Sequence, residues 1–280
     1  MTAIAPPVSG LRQRALTAIV LAPLGIASVL YLPSAGFAIL LAVLFLAGLR
    51  EWARLSGLAS LPGQIAFVVA NAGVMLALWL QGPQLLQKIG IIGAAFWCIA
   101  PIWLRFFEFA SAPSPRNQTI KLIAGVLAIV PAWCAGAFLH GDGQRGALQV
   151  LFVIVLIWCA DIFAYFSGRR FGGRKLAPRI SPGKTWAGVH GGLAGAALYA
   201  LVCGWLFGIR DYSLLAFVVL SVITVMFSVV GDLFESLLKR HSGMKDSGTL
   251  FPGHGGVLDR FDSLFAALPI FVAGKLLIGS

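Results

Sequence analysis

Nine long apolar runs, separated by short charged segments, set the strongest constraint on what this chain can become. They lie near Ala15 to Leu32, Gly36 to Leu49, Ile65 to Leu80, Ile89 to Leu104, Ile120 to Leu139, Ala147 to Phe166, Gly188 to Phe207, Tyr212 to Val230 and Phe261 to Ile278. A helix needs about 20 mostly apolar residues to cross the hydrocarbon of a bilayer. Lipid offers no hydrogen-bond partners to bare backbone, so only helical bundles and closed barrels span it, and unalternating runs of this length exclude the barrel. The expected fold is all-α: a polytopic membrane helical bundle of about nine transmembrane helices. The second run is short and is expected to be tilted or re-entrant. The first follows Arg12 and Arg14 like a signal peptide, but with eight runs behind it a retained span is expected.

Composition agrees. Hydrophobic residues make up 59% of the 280 and charged residues 11%, against about 25% charged in soluble domains. Lys and Arg are enriched in cytoplasmic loops. With the N-terminus inside, 17 of the 21 basic residues fall on one side, leaving Lys88, Arg145, Arg210 and Lys275 on the other. Adding or losing one span in the first half would invert the later assignments, so the imbalance supports both count and orientation. A multi-pass protein of the inner, cytoplasmic membrane is expected, with its polar residues facing the cytoplasm. The net charge of +11 is then a topology signal with some attraction to anionic lipid, and no nucleic-acid partner is expected. Cys98, Cys134, Cys159 and Cys203 stand singly in apolar runs and are expected to be small buried hydrophobes.

Residues 1–140 carry little chemistry and are expected to form a scaffold of spans that offers a surface for a dimer contact. Its exceptions, Glu51 beside Arg50 and Glu108 near Arg105, are expected to be interfacial carboxylates paired with those arginines. Residues 141–280 are expected to form the catalytic region with two cytoplasmic loops. Seven of the ten acidic residues follow residue 160, all but Asp211 on the inner side. Ionisable groups at the edge of membrane segments are costly and usually functional.

The first loop, Gly168 to Trp186, interleaves six cations with glycines and two prolines. It is expected to be flexible and to hold phosphates through Arg169, Lys175, Lys184 and the hydroxyls of Ser181 and Thr185, which precede a helix start. Its glycine spacing is not that of a P-loop. In the second, Asp232, Ser236 and Lys239 recur at i, i+4 and i+7 and share a face if the eighth span continues as helix. Glu235 and Arg240 flank that face. Asp259 and Asp262 open the ninth span after a loop that Gly253, Gly255 and Gly256 free to turn sharply. Asp259 set beside Asp232 makes a natural pair of ligands for a hard cation, since Mg²⁺ usually takes one or two carboxylates plus substrate phosphates. His254 is surrounded by glycines and charges, whereas His140, His190 and His241 are expected to be structural or solvated.

The stretch from Ser236 to Asp262 resembles the signature of the phosphatidate cytidylyltransferases, the CDP-diacylglycerol synthases. The matching positions are Ser236, Lys239-Arg240, Lys245-Asp246, Gly248, Pro252, His254-Gly255-Gly256, Asp259-Arg260 and Asp262. Upstream the likeness takes in Asp161, Ala164-Tyr165, Gly168-Arg169, Lys175-Leu176-Ala177-Pro178, Ser181 to Trp186 and Gly231-Asp232-Leu233; Ala187 stands where many members carry a polar or acidic residue. The resemblance implies transfer of CMP from CTP to phosphatidate, with Mg²⁺, a helping K⁺ and a homodimer. It also implies metal binding by Asp232 and Asp259, with Ser236 and Lys239 around the metals and phosphates. His254 and Asp262 join these as catalytic candidates, and Arg240, Lys245, Asp246 and Arg260 as substrate-binding ones. A secondary transporter would place such carboxylates near the midplane in paired halves, a symmetry absent here. A CTP-dependent polyprenol kinase is the nearer rival.

Overall fold

A computed structural model of the chain describes residues 8–248, 250 and 255–278, with side chains described from residue 19 onward. Among the described residues it contains nine α-helices: α1 (Val8–Tyr31), α2 (Ser34–Leu55), α3 (Leu61–Leu80), α4 (Pro83–Arg105), α5 (Pro115–His140), α6 (Gly146–Phe171), α7 (Trp186–Leu206), α8 (Asp211–His241) and α9 (Leu258–Ile278). Helices α2 to α9 are long and apolar enough to cross a membrane, and α1 contributes an apolar stretch, Ile19–Tyr31. The second span is not short: α2 runs 22 residues, because Arg50 and Glu51 continue the helix beyond the apolar run.

Local chemistry sets several helix starts. Proline opens α3, α4 and α5, where its missing N–H leaves no bond unmade. Ser114 caps α5 by accepting from the Asn117 amide at 3.2 Å. The core centres on α5, whose Ala128, Ile129, Ala132, Cys134 and Ala135 are wholly enclosed. Helices α2, α4 and α9 pack around it. Without a hydrophobic drive between helices in lipid, small residues that admit close approach hold such interfaces together. A Cβ at Gly93 would lie 2.5 Å from Pro131 Cβ, and one at Gly125 2.5 Å from the Trp52 indole. The Trp52 indole N–H donates to the Lys121 carbonyl at 2.7 Å, fixing α2 against α5.

Of the cysteines only Cys134 is buried; Cys98 is exposed on the outer face of the bundle, and Cys159 and Cys203 are intermediate. An apolar run has a lipid-facing side as well as a core side, so position in a run does not decide burial. His140 stacks on Phe37 and bonds the Val29 carbonyl, and His241 bonds the Phe107 carbonyl, both structural.

The first loop is not a loose segment. It folds into an antiparallel hairpin of β1 (Lys175–Ala177) and β2 (Ser181–Thr185). Gly172 and Gly173 have φ of +58° and +82°, which turns the chain off the end of α6. Pro178 suits the tight turn that follows Ala177. Ile180 at that turn packs with Leu233 and Leu237 of α8 in a small cluster of its own, so docking supplies the order that the glycines and prolines alone would not.

Candidate active site

All the polar elements of interest meet at one end of the bundle: the C-termini of α2, α6 and α8, the N-terminus of α9 and the hairpin. At about 1.5 Å per residue, the 31 residues of α8 outrun a hydrocarbon layer about 30 Å thick. Its last turns carry Asp232, Glu235, Ser236 and Lys239 past the apolar run, as the i, i+4, i+7 spacing predicts. Helix α9 lies alongside, close enough that a Cβ on Gly231 would stand 2.4 Å from the Asp262 carbonyl.

Two acid–base pairs stand at this junction. Lys184, brought in by β2, contacts Asp232 Oδ2 at 2.5 Å, and Ser236 Oγ donates to Asp232 Oδ1 at 3.3 Å. Lys239 Nζ lies 2.7 Å from Asp259 Oδ1 and 3.2 Å from Glu235 Oε1. The other oxygen of Asp259, Oδ2, accepts from Ser247 N at 2.9 Å, Ser247 Oγ at 2.8 Å and Gly256 N at 2.8 Å. Asp262 lies within electrostatic reach of both Asp232 and Glu235, and Asp161 on α6 within electrostatic reach of Lys184 and Asp232. Five carboxyl groups thus gather around two lysines.

The sequence candidates divide. Asp232, Ser236, Lys239, Asp259, Asp262 and Lys184 come together. Thr185 is committed to the fold: its hydroxyl caps α7, accepting from Gly188 N at 3.1 Å, and so occupies one of the helix-start donors expected to meet an anion. Arg240 spends its Nε on the Ile180 carbonyl at 3.0 Å and clamps the hairpin turn. Lys175 is exposed on β1 opposite Thr185, and Ser181 pairs with Ala177. Arg169 is exposed and donates to the Tyr165 hydroxyl, and Lys245, Asp246 and Arg260 are exposed with no ion pair among the described residues. His254 lies outside the described residues.

Both expectations for the N-terminal carboxylates are corrected. Glu108 pairs with Arg179 of the hairpin turn, not with Arg105. Glu51 pairs with no arginine among the described residues. It is buried and accepts from Val257 N, Leu258 N and Ser247 Oγ, all in the segment leading into α9. Helix geometry points Glu51 away from Arg50, since adjacent residues do not share a face. Asp161 and Glu235 are the other site carboxylates absent from the expected set. A lone aspartate near the end of an apolar run was the available signal for Asp161.

The donor set suits a hard cation. It is all oxygen, from carboxylates and one hydroxyl, and neither Glu235 oxygen has a hydrogen bond of good geometry although both are buried. Among the described residues no three His, Cys, Asp or Glu side chains converge as a ready-made cage. Mg²⁺ does not need one, because it keeps waters and takes substrate phosphates as ligands. Asp232 and Asp259 are the residues that would hold it.

Residues 12–276 match the cytidylyltransferase family. The chain belongs to that family. It is 41% identical to the phosphatidate cytidylyltransferase of Pseudomonas aeruginosa over 94% of this chain and 96% of that one. It is 38% identical to the Haemophilus influenzae phosphatidate cytidylyltransferase over 93% and 97%. The Thermotoga maritima phosphatidate cytidylyltransferase is 35% identical over 58% of this chain and 63% of its own length. The family match takes in both halves of the bundle, including Glu51 and the spans that the signature residues do not reach.

Proposed function

We propose that the chain is a phosphatidate cytidylyltransferase, moving CMP from CTP to phosphatidate and releasing pyrophosphate. The observation that carries this reading is the pairing of Asp232 on α8 with Lys184 of the hairpin, and of Asp259 on α9 with Lys239 on α8, at one end of an apolar bundle. Such an arrangement serves a reaction between two highly anionic substrates, one of them a lipid. The bundle holds phosphatidate in the bilayer while the polar end receives the nucleotide. That end faces the cytoplasm of the inner membrane, where the excess of Lys and Arg belongs.

Phosphoryl transfer asks a protein mainly for positioning and charge neutralisation. A phosphate monoester with a second pKa of about 6 is largely dianionic at neutral pH, so phosphatidate needs no activating base. Its oxygen attacks the α-phosphorus of CTP in line, the new P–O bond forms, and the bond to pyrophosphate breaks. Asp232 and Asp259 would hold Mg²⁺, with K⁺ as helper, and the bound cation would neutralise phosphate charge. Lys239 holds departing pyrophosphate and Ser236 orients Asp232. Lys184, carried on a docked hairpin, guides phosphates toward Asp232, with Arg169, Lys175, Lys245 and Arg260 as outlying cations. The enzyme works as a homodimer.

The test is turnover by purified protein in detergent with phosphatidate, Mg²⁺ and each of the four nucleoside triphosphates. CTP alone should give lipid-linked nucleotide and stoichiometric pyrophosphate. Phosphorylation of a polyprenol with release of CDP, and no nucleotidyl lipid, would move the assignment to a lipid kinase.

A further inference from the structure

Glu51 is a buried carboxylate at this end of the bundle that the proposed reaction does not use, and it belongs to the half of the chain that otherwise reads as scaffold. Its two oxygens accept three bonds: Oε1 from Val257 N at 3.0 Å, and Oε2 from Leu258 N and Ser247 Oγ, each at 2.8 Å. Those donors lie 196 to 207 residues away in sequence. Ser247 Oγ stands equally close, at 2.8 Å, to Asp259 Oδ2. The Ser247 hydroxyl, with its single proton, is thus shared between a carboxylate on α2 and a carboxylate on α9 and donates to one of them at a time.

The glycines around this contact have the same explanation. A Cβ on Gly248 would lie 2.3 Å from Glu51 Oε1, and one on Gly256 would lie 2.3 Å from Glu51 Oε2 and 2.3 Å from Ser247 Oγ. Gly255 is different: its φ of +81° demands glycine for the turn itself. Gly248 and Gly256 are bare because the Glu51 carboxylate is pressed against their backbone. Ser247, Gly248, Gly256, Val257 and Leu258 are therefore arranged around Glu51 as a template.

We propose that Glu51 is a positioning residue: by holding Ser247, Val257 and Leu258 it sets the orientation of the Asp259 carboxylate, which then presents Oδ1 to Lys239 and the metal. This deepens, and rests on, the reading of Asp259 as a metal-holding group. Groups behind a metal ligand commonly govern metal affinity or activity by about 10- to 100-fold. A glutamine at position 51 keeps one acceptor but turns an NH₂ toward a backbone N–H, so the segment cannot keep all three bonds.

The experiment uses the full chain in detergent and compares Glu51→Gln, Ser247→Ala, their double variant and Asp259→Asn. Mn²⁺ affinity is read by electron paramagnetic resonance without substrates, and kcat and KM are measured per folded molecule. Glu51→Gln and Ser247→Ala should each weaken Mn²⁺ binding and lower kcat by about ten-fold or more, with KM for phosphatidate unchanged. The double variant should be little worse than either single one, because both cut the same bridge. A scaffold role would lower only the amount or thermal stability of folded protein. Glu51→Asp, which keeps the charge one methylene short, takes over if Glu51→Gln does not fold. Wild-type Mn²⁺ affinity and kcat in the position-51 variant, with both lost in Asp259→Asn, would overturn the role of Glu51 and leave Asp259 standing. Retention of both in Asp259→Asn would remove the underlying reading itself.

Discussion

Replacing Lys239 with methionine removes a cation and leaves a carboxylate stranded. Lys239 is 12% exposed and is shared by Glu235, 2% exposed, and Asp259, 7% exposed. The two acids are not equally dependent on it. Asp259 keeps its three bonds from Ser247 and Gly256, whereas Glu235 keeps no hydrogen bond to either oxygen. Removing one partner of a buried ion pair typically costs about 3–5 kcal/mol, mostly the penalty of the charge left behind. Lys239→Met should therefore lose about 3 kcal/mol or more, and the loss should fall on Glu235. Adding Glu235→Gln should recover much of it, since no bare charge remains. Chemical unfolding in mixed micelles, followed by tryptophan fluorescence, measures both steps, and the assay with CTP measures activity. The double variant should be stable but still slow, because stability follows the stranded charge and turnover follows the lost ammonium. Lys239→Met within about 1 kcal/mol of the parent, or no recovery on adding Glu235→Gln, would refute the argument.

Asp232→Asn or Asp259→Asn should abolish turnover while the protein still enters the membrane, because each removes a carboxylate proposed to hold the metal; near-normal rates with an unchanged dependence on added Mg²⁺ would reject the assignment. In a background lacking the native cysteines, Gly143→Cys should react with a membrane-impermeant reagent added to intact cells and Gly173→Cys should not; the reverse pattern would invert the topology. Enzyme free of lipid should not exchange labelled pyrophosphate into CTP, since direct transfer leaves CMP no acceptor. Rapid exchange that His254→Ala stops would instead make His254 a covalent nucleophile.

Much of this protein was legible in one dimension. Apolar run length decides whether a segment can cross lipid, and backbone that must satisfy itself there can only be helical, so the bundle follows from spacing alone. The run of Asp232, Ser236 and Lys239 at helical intervals likewise fixes a shared face as soon as α8 is known to continue. What needed the tertiary structure is everything that depends on distant segments meeting. The hairpin gains its order from Ile180 against Leu233 and Leu237, so glycine and proline content misread it as loose. Thr185 and Arg240 are chemically suited to phosphate, yet neighbouring backbone uses them first. Glu51 looked like the partner of Arg50 because a sequence displays nearest neighbours, whereas its donors lie about two hundred residues further on. A buried carboxylate is defined by the donors that surround it, and only the packing of α2 against the segment before α9 decided which those are.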